Sequence, residues 1–305
     1  MALAPMEDVT DTVFRRIVAE AARPDIFFTE FASVDGLFSR GREAVIHRFD
    51  FTQEERPIIA QVWGSEPGLF YKAAKLVADM KFDGIDINMG CPVKSVLQHD
   101  AGAACIQDPE RAAEIIAAAR EGAGTLPLSV KTRLGYKKIS EDWIPFLLEQ
   151  HLDALTIHGR TAAELSKVPA HWDKIGEAVS LRNQMKVHTV ILGNGDIADY
   201  AGAVTKCNEY GVDGVMIGRG IFHNLWAFDK TGESRMDDHK ELFRIMQKHV
   251  TLFDETWGKH KNFAIMKKFF KIYVQGFDGA SEMREQLFRL ESADEFFEFT
   301  KRFIT

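Results

Sequence analysis

Short apolar segments alternate along the chain with longer segments in which apolar residues recur every three or four positions. The short segments are mostly continuous rather than alternating in their apolar residues, which is typical of strands buried on both faces of a parallel sheet. The longer segments have the spacing of amphipathic helices, so a crossover helix is predicted after most strands. Eight strands are predicted, over Ala2–Ala4, Ile26–Glu30, Ile58–Val62, Gly84–Asn88, Leu128–Lys131, Ala154–Ile157, Thr189–Leu192 and Gly214–Ile217.

Eight strands with crossover helices predict an α/β fold, a (β/α)8 TIM barrel over residues 1–230. Barrels of this type typically have ~250 residues, which agrees with that length. An open, doubly wound sheet is the alternative that the pattern leaves. Thr10 is predicted to cap the first helix, and Asp108, followed by proline, to cap the third. Four of the helices are predicted over Thr10–Ala21, Gly68–Met80, Pro109–Ala119 and Ile197–Cys207.

The composition changes near residue 230. All nine prolines lie at or before Pro169, and only four glycines follow Gly220. Residues 231–305 are therefore predicted to form a small, all-helical C-terminal domain. Two sets of apolar residues there each fall on one helical face: Phe243, Met246, Val250 and Phe253, then Phe263, Met266, Phe270 and Tyr273.

The overall composition is typical of a globular protein, with 46% hydrophobic and 27% charged residues among 305. No apolar stretch approaches the ~18–20 residues that span a bilayer. The first residues lack the basic and apolar regions of a signal peptide. Three widely spaced cysteines are typical of a reduced, cytoplasmic protein and match no zinc-site spacing. We therefore expect a cytoplasmic protein with no membrane or metal partner, and a monomer as the simplest oligomeric state.

The charge distribution excludes a protein that coats nucleic acid over its whole surface. The net charge is −7, and residues 1–230 carry all of it, with 25 basic and 32 acidic side chains. Residues 231–305 are balanced, with 13 of each. Binding to many phosphates needs an excess of lysine and arginine, whereas a local contact does not.

Polar residues follow the predicted strands repeatedly at the point where each strand ends. In a TIM barrel the carboxyl ends of the strands meet at one face, which carries the active site. Each polar residue taken singly is compatible with a structural role, but their accumulation at one face indicates a functional site. These residues are Glu7, Gln61, Asn88, Cys91, Lys131, Arg133 and His158.

The last two predicted strands are each followed by a glycine-rich loop, Gly193–Asp196 and Gly218–Gly220. Glycines let backbone N–H groups approach an anion closely, and a helix that follows adds a favourable dipole. Phosphate sites in TIM barrels are often formed by these loops. Arg219 would add a charge-assisted hydrogen bond. The two loops therefore predict a phosphate site, and no P-loop motif is present.

Cys91 lies between Gly90 and Pro92, in a loop after a strand. Cysteine most often serves as a small buried hydrophobe, and we predict that role for Cys105 and Cys207. A thiol with a pKa near ~8.5 is mostly protonated at neutral pH and can act as an acid. The loop position makes Cys91 the candidate acid.

Six segments resemble motifs of the dihydrouridine synthases, in the family's order and over essentially the whole barrel. The segment that contains Cys91 is the most specific. Asp8 stands where the family commonly has glycine, which predicts a somewhat different shape for the first loop. The segments are Ala4–Asp11, Asn88–Lys94, Lys131–Gly135, His158–Thr161, Gly193–Ile197 and Ile217–Gly220.

This resemblance implies an FMN-dependent oxidoreductase that reduces a uridine in tRNA to 5,6-dihydrouridine, with NADPH as reductant. Hydride would pass from flavin N5 to C6 of the uracil, and Cys91 would protonate C5. Asn88 would bind the uracil, and Arg133 would lie near the nucleotide. The residues implied to bind FMN are Pro5, Met6, Glu7, Gln61, Lys131, His158, Asn194, Gly195, Asp196, Gly218 and Arg219.

The helical domain would dock the tRNA, and Lys267, Lys268 and Lys271 are the candidate contacts. Extruding a base costs least in a loop, so a uridine in a tRNA loop is the expected substrate. Two alternatives remain at this point: an FMN-dependent dehydrogenase of a small metabolite such as dihydroorotate, and a non-catalytic RNA-binding barrel. The small-metabolite enzyme would not need the clustered lysines. The non-catalytic barrel would not need Lys131, His158 and Cys91 at the same end of the barrel.

Overall fold

The structure is a computed structural model that describes residues 1–303. Nine parallel strands are present, and eight of them form the barrel, which confirms the predicted TIM fold. The strands are β1 (Ala2–Leu3), β2 (Phe27–Phe28), β3 (Ala32–Ser33), β4 (Ile58–Trp63), β5 (Gly84–Met89), β6 (Leu128–Arg133), β7 (Ala154–His158), β8 (Val190–Asn194) and β9 (Gly214–Ile217).

The strand order around the barrel is β1-β9-β8-β7-β6-β5-β4-β2, and the short β3 pairs with β4. β1 pairs with β9, and a parallel bridge from Ala2 to Ile26 joins β1 to the start of the second strand region. The ring is thereby nearly closed, so the alternative of an open, doubly wound sheet is wrong. Closure brings the ends of β1 and β9 together, although they are far apart in sequence.

Helices connect most of the strands and continue after the barrel. Pro67 and Pro109 each occupy a first helical position, which the sequence predicts for Pro109. Aspartates precede several other helices. The helices are α1 (Thr12–Ala21), α2 (Val34–Leu37), α3 (Glu43–Ile46), α4 (Pro67–Asp79), α5 (Lys94–Leu97), α6 (Pro109–Ala123), α7 (Trp143–Glu149), α8 (Trp172–Met185), α9 (Tyr200–Tyr210), α10 (His239–Trp257), α11 (Lys267–Tyr273), α12 (Ala280–Leu287) and α13 (Ala293–Thr300).

Three predicted helix starts differ from the structure, and the smallest shift is that of α4, which begins at Pro67 and not at Gly68. Asp11, not Thr10, caps α1, because its carboxylate accepts from the backbone N–H of Phe14. The Thr10 hydroxyl is instead engaged with the backbone of Met6 and holds the first loop. The helix predicted from Ile197 begins only at Tyr200, after the N-cap Asp199. The prediction that Asp108 caps α6 is confirmed.

The predicted strand bounds also shift at several ends. β2 is shorter than the predicted Ile26–Glu30, because pairing with β4 is limited to two residues. β8 extends to Asn194, two residues beyond the prediction. Its backbone continues to pair with β9 through Asn194 and Met216.

The C-terminal helices pack directly on the barrel. Phe14 of α1 contacts Phe269 of α11, with ring centroids 4.8 Å apart, and also His249 of α10 at 5.7 Å. Within the helical segment, His249 Nδ1 and the Tyr273 hydroxyl are 2.8 Å apart. Barrel and helices therefore share one continuous apolar core. The division at residues 1–230 and 231–305 stays a prediction.

No helix within residues 1–303 is both long and apolar enough to cross a bilayer. In the same residues, no group of three or more His, Cys, Asp or Glu side chains is arranged to hold a metal ion. All three cysteines are free thiols.

Candidate active site

A cavity of about 430 Å³ opens at the carboxyl ends of the barrel strands. Nine of the residues predicted to bind FMN line it, together with residues that were not predicted. The predicted ones are Pro5, Met6, Lys131, His158, Asn194, Gly195, Asp196, Gly218 and Arg219. The others include Arg160, Met216 and His223. The structure thus brings five strand ends together around one space.

The cavity is rich in positive charge. Burial, together with the positive charges of Lys131, Arg133, Arg160 and Arg219, holds the pKa of His158 far below its usual value, so its ring is neutral. The opposing carboxylate, that of Asp196, is ion-paired with Arg160. Because so many cations surround one space, the cavity is suited to an anionic group.

Arg219 is the cation that remains available to such a group. Its side chain is 66% exposed, and its ion pair with Asp196 is long, at 3.8 Å. The Asp196 carboxylate, by contrast, accepts from Arg160 and from the backbone N–H of Ala170 at 2.9 Å. That carboxylate therefore holds its loop in place.

Two glycines keep the space open. Gly195 has φ +130°, which side chains rarely adopt, and a Cβ there would lie 2.8 Å from Ala170. A Cβ at Gly218 would lie 3.6 Å from the Cβ of Ala4 and 4.0 Å from the sulfur of Met6, both on the cavity wall. Any larger residue at Gly218 would extend into the cavity. The loops therefore form a cradle that fits a phosphate group.

Lys131 connects this cradle to the neighbouring strand ends. Its ammonium donates to Asn194 Oδ1 at 3.2 Å, while Asn194 Nδ2 donates to the Met216 carbonyl at 2.8 Å. Burial, with the charge of Arg133, lowers the pKa of Lys131 to about 8. Lys131 thus still carries a positive charge at neutral pH, in a desolvated position where that charge acts strongly.

Cys91 stands beside this charged region. Burial and the negative charge of Glu7 raise the pKa of its thiol, while a hydrogen bond with the Val93 backbone and the charges of Arg133 and Lys131 lower that pKa less. The thiol therefore stays protonated at neutral pH, as an acid must. Its backbone N–H donates to Asn88 Oδ1 at 3.0 Å.

Asn88 and Gln61 lie below the Cys91 loop and are both buried. Asn88 Oδ1 also accepts from the N–H of Gly90 at 3.1 Å, and its Nδ2 donates to Gln61 Oε1 at 3.0 Å. Gln61 Nε2 in turn donates to Asp86 Oδ2 at 2.7 Å. Gln61 does not line the cavity, so its predicted flavin contact stays a prediction.

Two further predicted residues hold loops together. Arg133 is buried and donates to the carbonyls of Gly90 at 2.8 Å and of Thr161 at 3.0 Å, which joins the Cys91 loop to the loop after β7. Glu7 lies outside the cavity lining and is ion-paired with Arg48 at 3.0 Å. Their predicted roles at the nucleotide and flavin stay predictions.

The family model for dihydrouridine synthases (Dus) matches residues 2–305. The chain belongs to the dihydrouridine synthase family. It is 47% identical over 297 residues to a "Probable tRNA-dihydrouridine synthase" of Staphylococcus epidermidis, with 96% of this chain and 90% of the relative covered. It is 46% identical to "Probable tRNA-dihydrouridine synthase 2" of Bacillus subtilis, with the same coverage.

Solved structures of low sequence identity share the barrel. Morphinone reductase superposes with a TM-score of 0.53 at 11% identity, covering 75% of this chain and 84% of that structure. A 2-naphthoyl-CoA reductase superposes with a TM-score of 0.58 at 12% identity, covering 76% and 49%. At such identities these likenesses show the fold alone.

Asp8 stands in the first loop, where the resemblance leads us to expect glycine. It has φ +56°, the left-handed conformation that glycine favours and aspartate tolerates. Its N–H donates to Glu30 and its carbonyl accepts from Lys268, both at 2.5 Å. The loop therefore keeps a conformation of the kind that glycine favours, held from both sides.

Two buried residues of this dihydrouridine synthase site are not among those predicted from the sequence. Arg160 is only 2% exposed and contacts both Asp196 and His158. Arg160 lies two residues after His158, in a segment that resembles a family motif, and this position is the signal that could have indicated it. Asp86 lies fully buried inside β5, and a lone acid in an apolar strand is the signal there.

The lysines of the helical segment have different surroundings. Lys261 contacts Asp11 at 3.3 Å and lies over the Trp257 ring at 3.7 Å, so it joins the segment to the barrel. Lys268 donates to the Asp8 carbonyl. Lys271 is exposed, and Lys267 is partly so. The last two are therefore the better candidates for a contact with RNA.

Proposed function

We propose that this chain is a flavin-dependent tRNA-dihydrouridine synthase that reduces a uridine of tRNA to 5,6-dihydrouridine. Family membership at 46–47% identity over nearly the whole chain supports this assignment. The observation that carries it is the position of Cys91, two residues after β5, because β5 pairs with β6, the strand that brings Lys131 to the anion-binding cavity. A non-catalytic barrel would need neither group.

The cavity fits FMN. Gly195, Gly218 and Arg219 would hold the phosphate, because they combine an open cradle with an exposed cation. Lys131 and His158 line the same space and would meet the ring system. FMN, when bound, supplies the hydride that reaches C6 of the uracil. NADPH is the proposed source of those electrons.

The chain's own residues complete the addition across the C5–C6 bond. Cys91 gives its Sγ proton to C5, so that one hydride and one proton saturate the double bond. The thiolate left behind is then reprotonated from solvent. Asn88 is held by its hydrogen bonds to Gln61 and to the backbone of the Cys91 loop, and its amide would bind a carbonyl of the uracil.

The tRNA is proposed to contact the helical segment. A uracil stacked inside an RNA helix cannot reach the cavity, so the target base must be extruded from the RNA. Extrusion costs a few kcal/mol, and it costs least in an RNA loop. Lys267 and Lys271 supply positive charge on the helix α11. Since this reaction uses cellular tRNA, a cytoplasmic location is part of the proposal.

The function is tested by incubating the FMN-saturated protein with NADPH and an unmodified tRNA transcript. We expect dihydrouridine to accumulate in the RNA, as measured by nuclease digestion and mass spectrometry. Dihydroorotate serves as the alternative substrate. Flavin-dependent turnover of dihydroorotate without any dihydrouridine in the RNA would favour the small-metabolite enzyme and contradict the proposal.

The RNA contact is tested with the double variant Lys267→Glu and Lys271→Glu. We expect weaker tRNA binding and a shallower dependence of log Kd on log salt, by up to ~0.9 for each lost phosphate contact. NADPH oxidation without RNA should not change, because neither lysine lines the cavity. Unaltered salt dependence would remove these two lysines from the interface.

A further inference from the structure

Asp86 is an acid that the proposed mechanism does not use. It lies in the middle of β5, fully buried, where an acid is rare unless it is paired. The strand register places it between Gln61 of β4 and Ser129 of β6. Since register partners point to the same side of a parallel sheet, the three side chains form a row across the barrel.

The hydrogen bonds of this row have only one consistent direction. Ser129 Oγ donates to Asp86 Oδ1 at 2.6 Å, and Gln61 Nε2 donates to Asp86 Oδ2 at 2.7 Å. Burial raises the pKa of Asp86 to about 6, so its carboxylate is mostly ionised at neutral pH. An ionised carboxylate only accepts, so it fixes the nitrogen of the Gln61 amide toward itself. The Gln61 oxygen must then point the other way, toward Asn88.

Asn88, which lies beyond Gln61, imposes the same direction on these hydrogen bonds. Asn88 Oδ1 accepts from two backbone N–H groups, those of Gly90 and Cys91, so the Asn88 nitrogen must face Gln61. It donates to Gln61 Oε1 at 3.0 Å. A flipped Gln61 amide would place its oxygen against the carboxylate and its nitrogen against the Asn88 nitrogen. Both ends therefore fix both amides in one orientation.

We propose that Asp86 is a positioning residue that acts through Gln61 and Asn88 to fix the Cys91 loop. This inference rests on the proposed function for its catalytic meaning, but not for its structural test. Asp86 itself is buried below the site and lies outside the cavity lining, so it touches no reacting atom. Its effect reaches the backbone N–H of Cys91 through three successive hydrogen bonds.

Two substitutions separate the acceptor from the charge of Asp86. Asp86→Val removes the acceptor and leaves the Gln61 nitrogen buried without a partner. Asp86→Asn removes the charge but keeps an acceptor, because its amide oxygen can face Gln61. Its nitrogen would then donate to Ser129, whose hydroxyl can accept as well as donate. A relay of hydrogen bonds thus predicts that Asn, but not Val, preserves the Cys91 loop.

The test is the rate at which iodoacetamide alkylates Cys91 in the FMN-saturated protein, followed by peptide mass spectrometry. Asp86→Val should raise this rate by about tenfold, the factor that one lost buried hydrogen bond corresponds to. Asp86→Asn should stay within threefold of the parent. Cys207, which lies on α9 away from the row, is the internal reference in each sample.

A rate within twofold of the parent for Asp86→Val would overturn the proposal, and so would an equal rise for Asp86→Asn, which would make the charge responsible. If Asp86→Val does not fold, Gln61→Met interrupts the same relay, and an unchanged Cys91 rate in that variant also overturns it. Single-turnover uridine reduction should fall in Asp86→Val and recover in Asp86→Asn. If no protein, the parent included, reduces uridine, the proposed function fails, while the alkylation rates still decide the role of Asp86.

Discussion

The two sides of the barrel mouth are built on different principles. The phosphate corner, formed by Gly195, Asp196, Gly218 and Arg219, has an exposed cation and glycines that leave space. The thiol side, formed by Gln61, Asp86, Asn88 and Cys91, is a buried series of hydrogen bonds satisfied within the protein.

This difference predicts different consequences for substitution. The phosphate corner offers charge to a ligand, so changes there should alter affinity. The thiol side holds the Cys91 loop in place before any ligand binds, so changes there should alter the rate of uridine reduction. Lys131 belongs to both sides, because it contacts Asn194 and its charge reaches Cys91.

The largest effect is expected for Cys91→Ala. Oxidation of the reduced flavin by tRNA should slow by ~10²–10⁴-fold, the usual contribution of a positioned general acid. FMN binding and reduction by NADPH should stay near the parent values, because the thiol is no part of the cavity lining. Single-turnover stopped-flow absorbance of the flavin measures both half-reactions.

Cys207→Ala is the control for this variant, and Cys91→Ser should be nearly as slow as Cys91→Ala because a hydroxyl is a far weaker acid. Uridine reduction by Cys91→Ala at the parent rate, with chemistry as the slow step, would remove Cys91 as the acid. The expectation that changes on the thiol side alter the reaction rate would then be wrong for Cys91.

A smaller effect, on affinity, is expected for Arg219→Ala. Loss of a charge-assisted hydrogen bond typically costs ~1.5–3 kcal/mol, which corresponds to roughly 10- to 150-fold in the Kd for FMN. Titration of the apoprotein with FMN, followed by fluorescence quenching, gives that Kd. Arg111→Ala, on the exposed side of α6, is the matched control. Equal Kd values for both variants would place the phosphate elsewhere.

The smallest effect is expected from pH, through Lys131. Its pKa is lowered to about 8 by burial, so the side chain is charged at pH 7 and loses its proton as the pH rises through 8. FMN affinity should therefore fall by up to about tenfold between pH 7 and 9, by loss of one charged contact. Lys131→Met should bind weakly at both pH values and show no such fall.

The control for this pH dependence is Lys137→Met, which changes an exposed lysine in the loop after β6. It should retain the fall in affinity. A pH profile of Lys131→Met that matches the parent would show that another group titrates. The shared position of Lys131 between the two sides would then have no measurable consequence.

Much of the molecule could be predicted from local sequence. Mostly apolar, non-alternating segments predicted the barrel, because strands buried on both faces carry few polar positions. The glycine-rich loops after the last two strands determined the cavity's position, since few other residues fit such backbone. The thiol in the Cys91 loop was similarly visible, because it follows a strand end directly.

Other features depended on which residues meet across the sheet. Thr10 and Asp11 are both good caps, and only the contact of the Thr10 hydroxyl with Met6 left the α1 cap to Asp11. Arg160 became part of the site because β7 pairs in parallel with β8, which places Asp196 beside it although the two are 36 residues apart in sequence. No local pattern encodes such a distance.

The sequence by itself determined the strands, the loops at their ends and the identity of the groups that can bind an anion or donate a proton. Only the tertiary structure decided how those groups are oriented. The register of β4, β5 and β6 aligns Gln61, Asp86 and Ser129, and a shift by one residue would turn Asp86 to the other face. Hydrogen-bond direction depends on such alignment, and therefore the fixed orientation of the Asn88 amide does too.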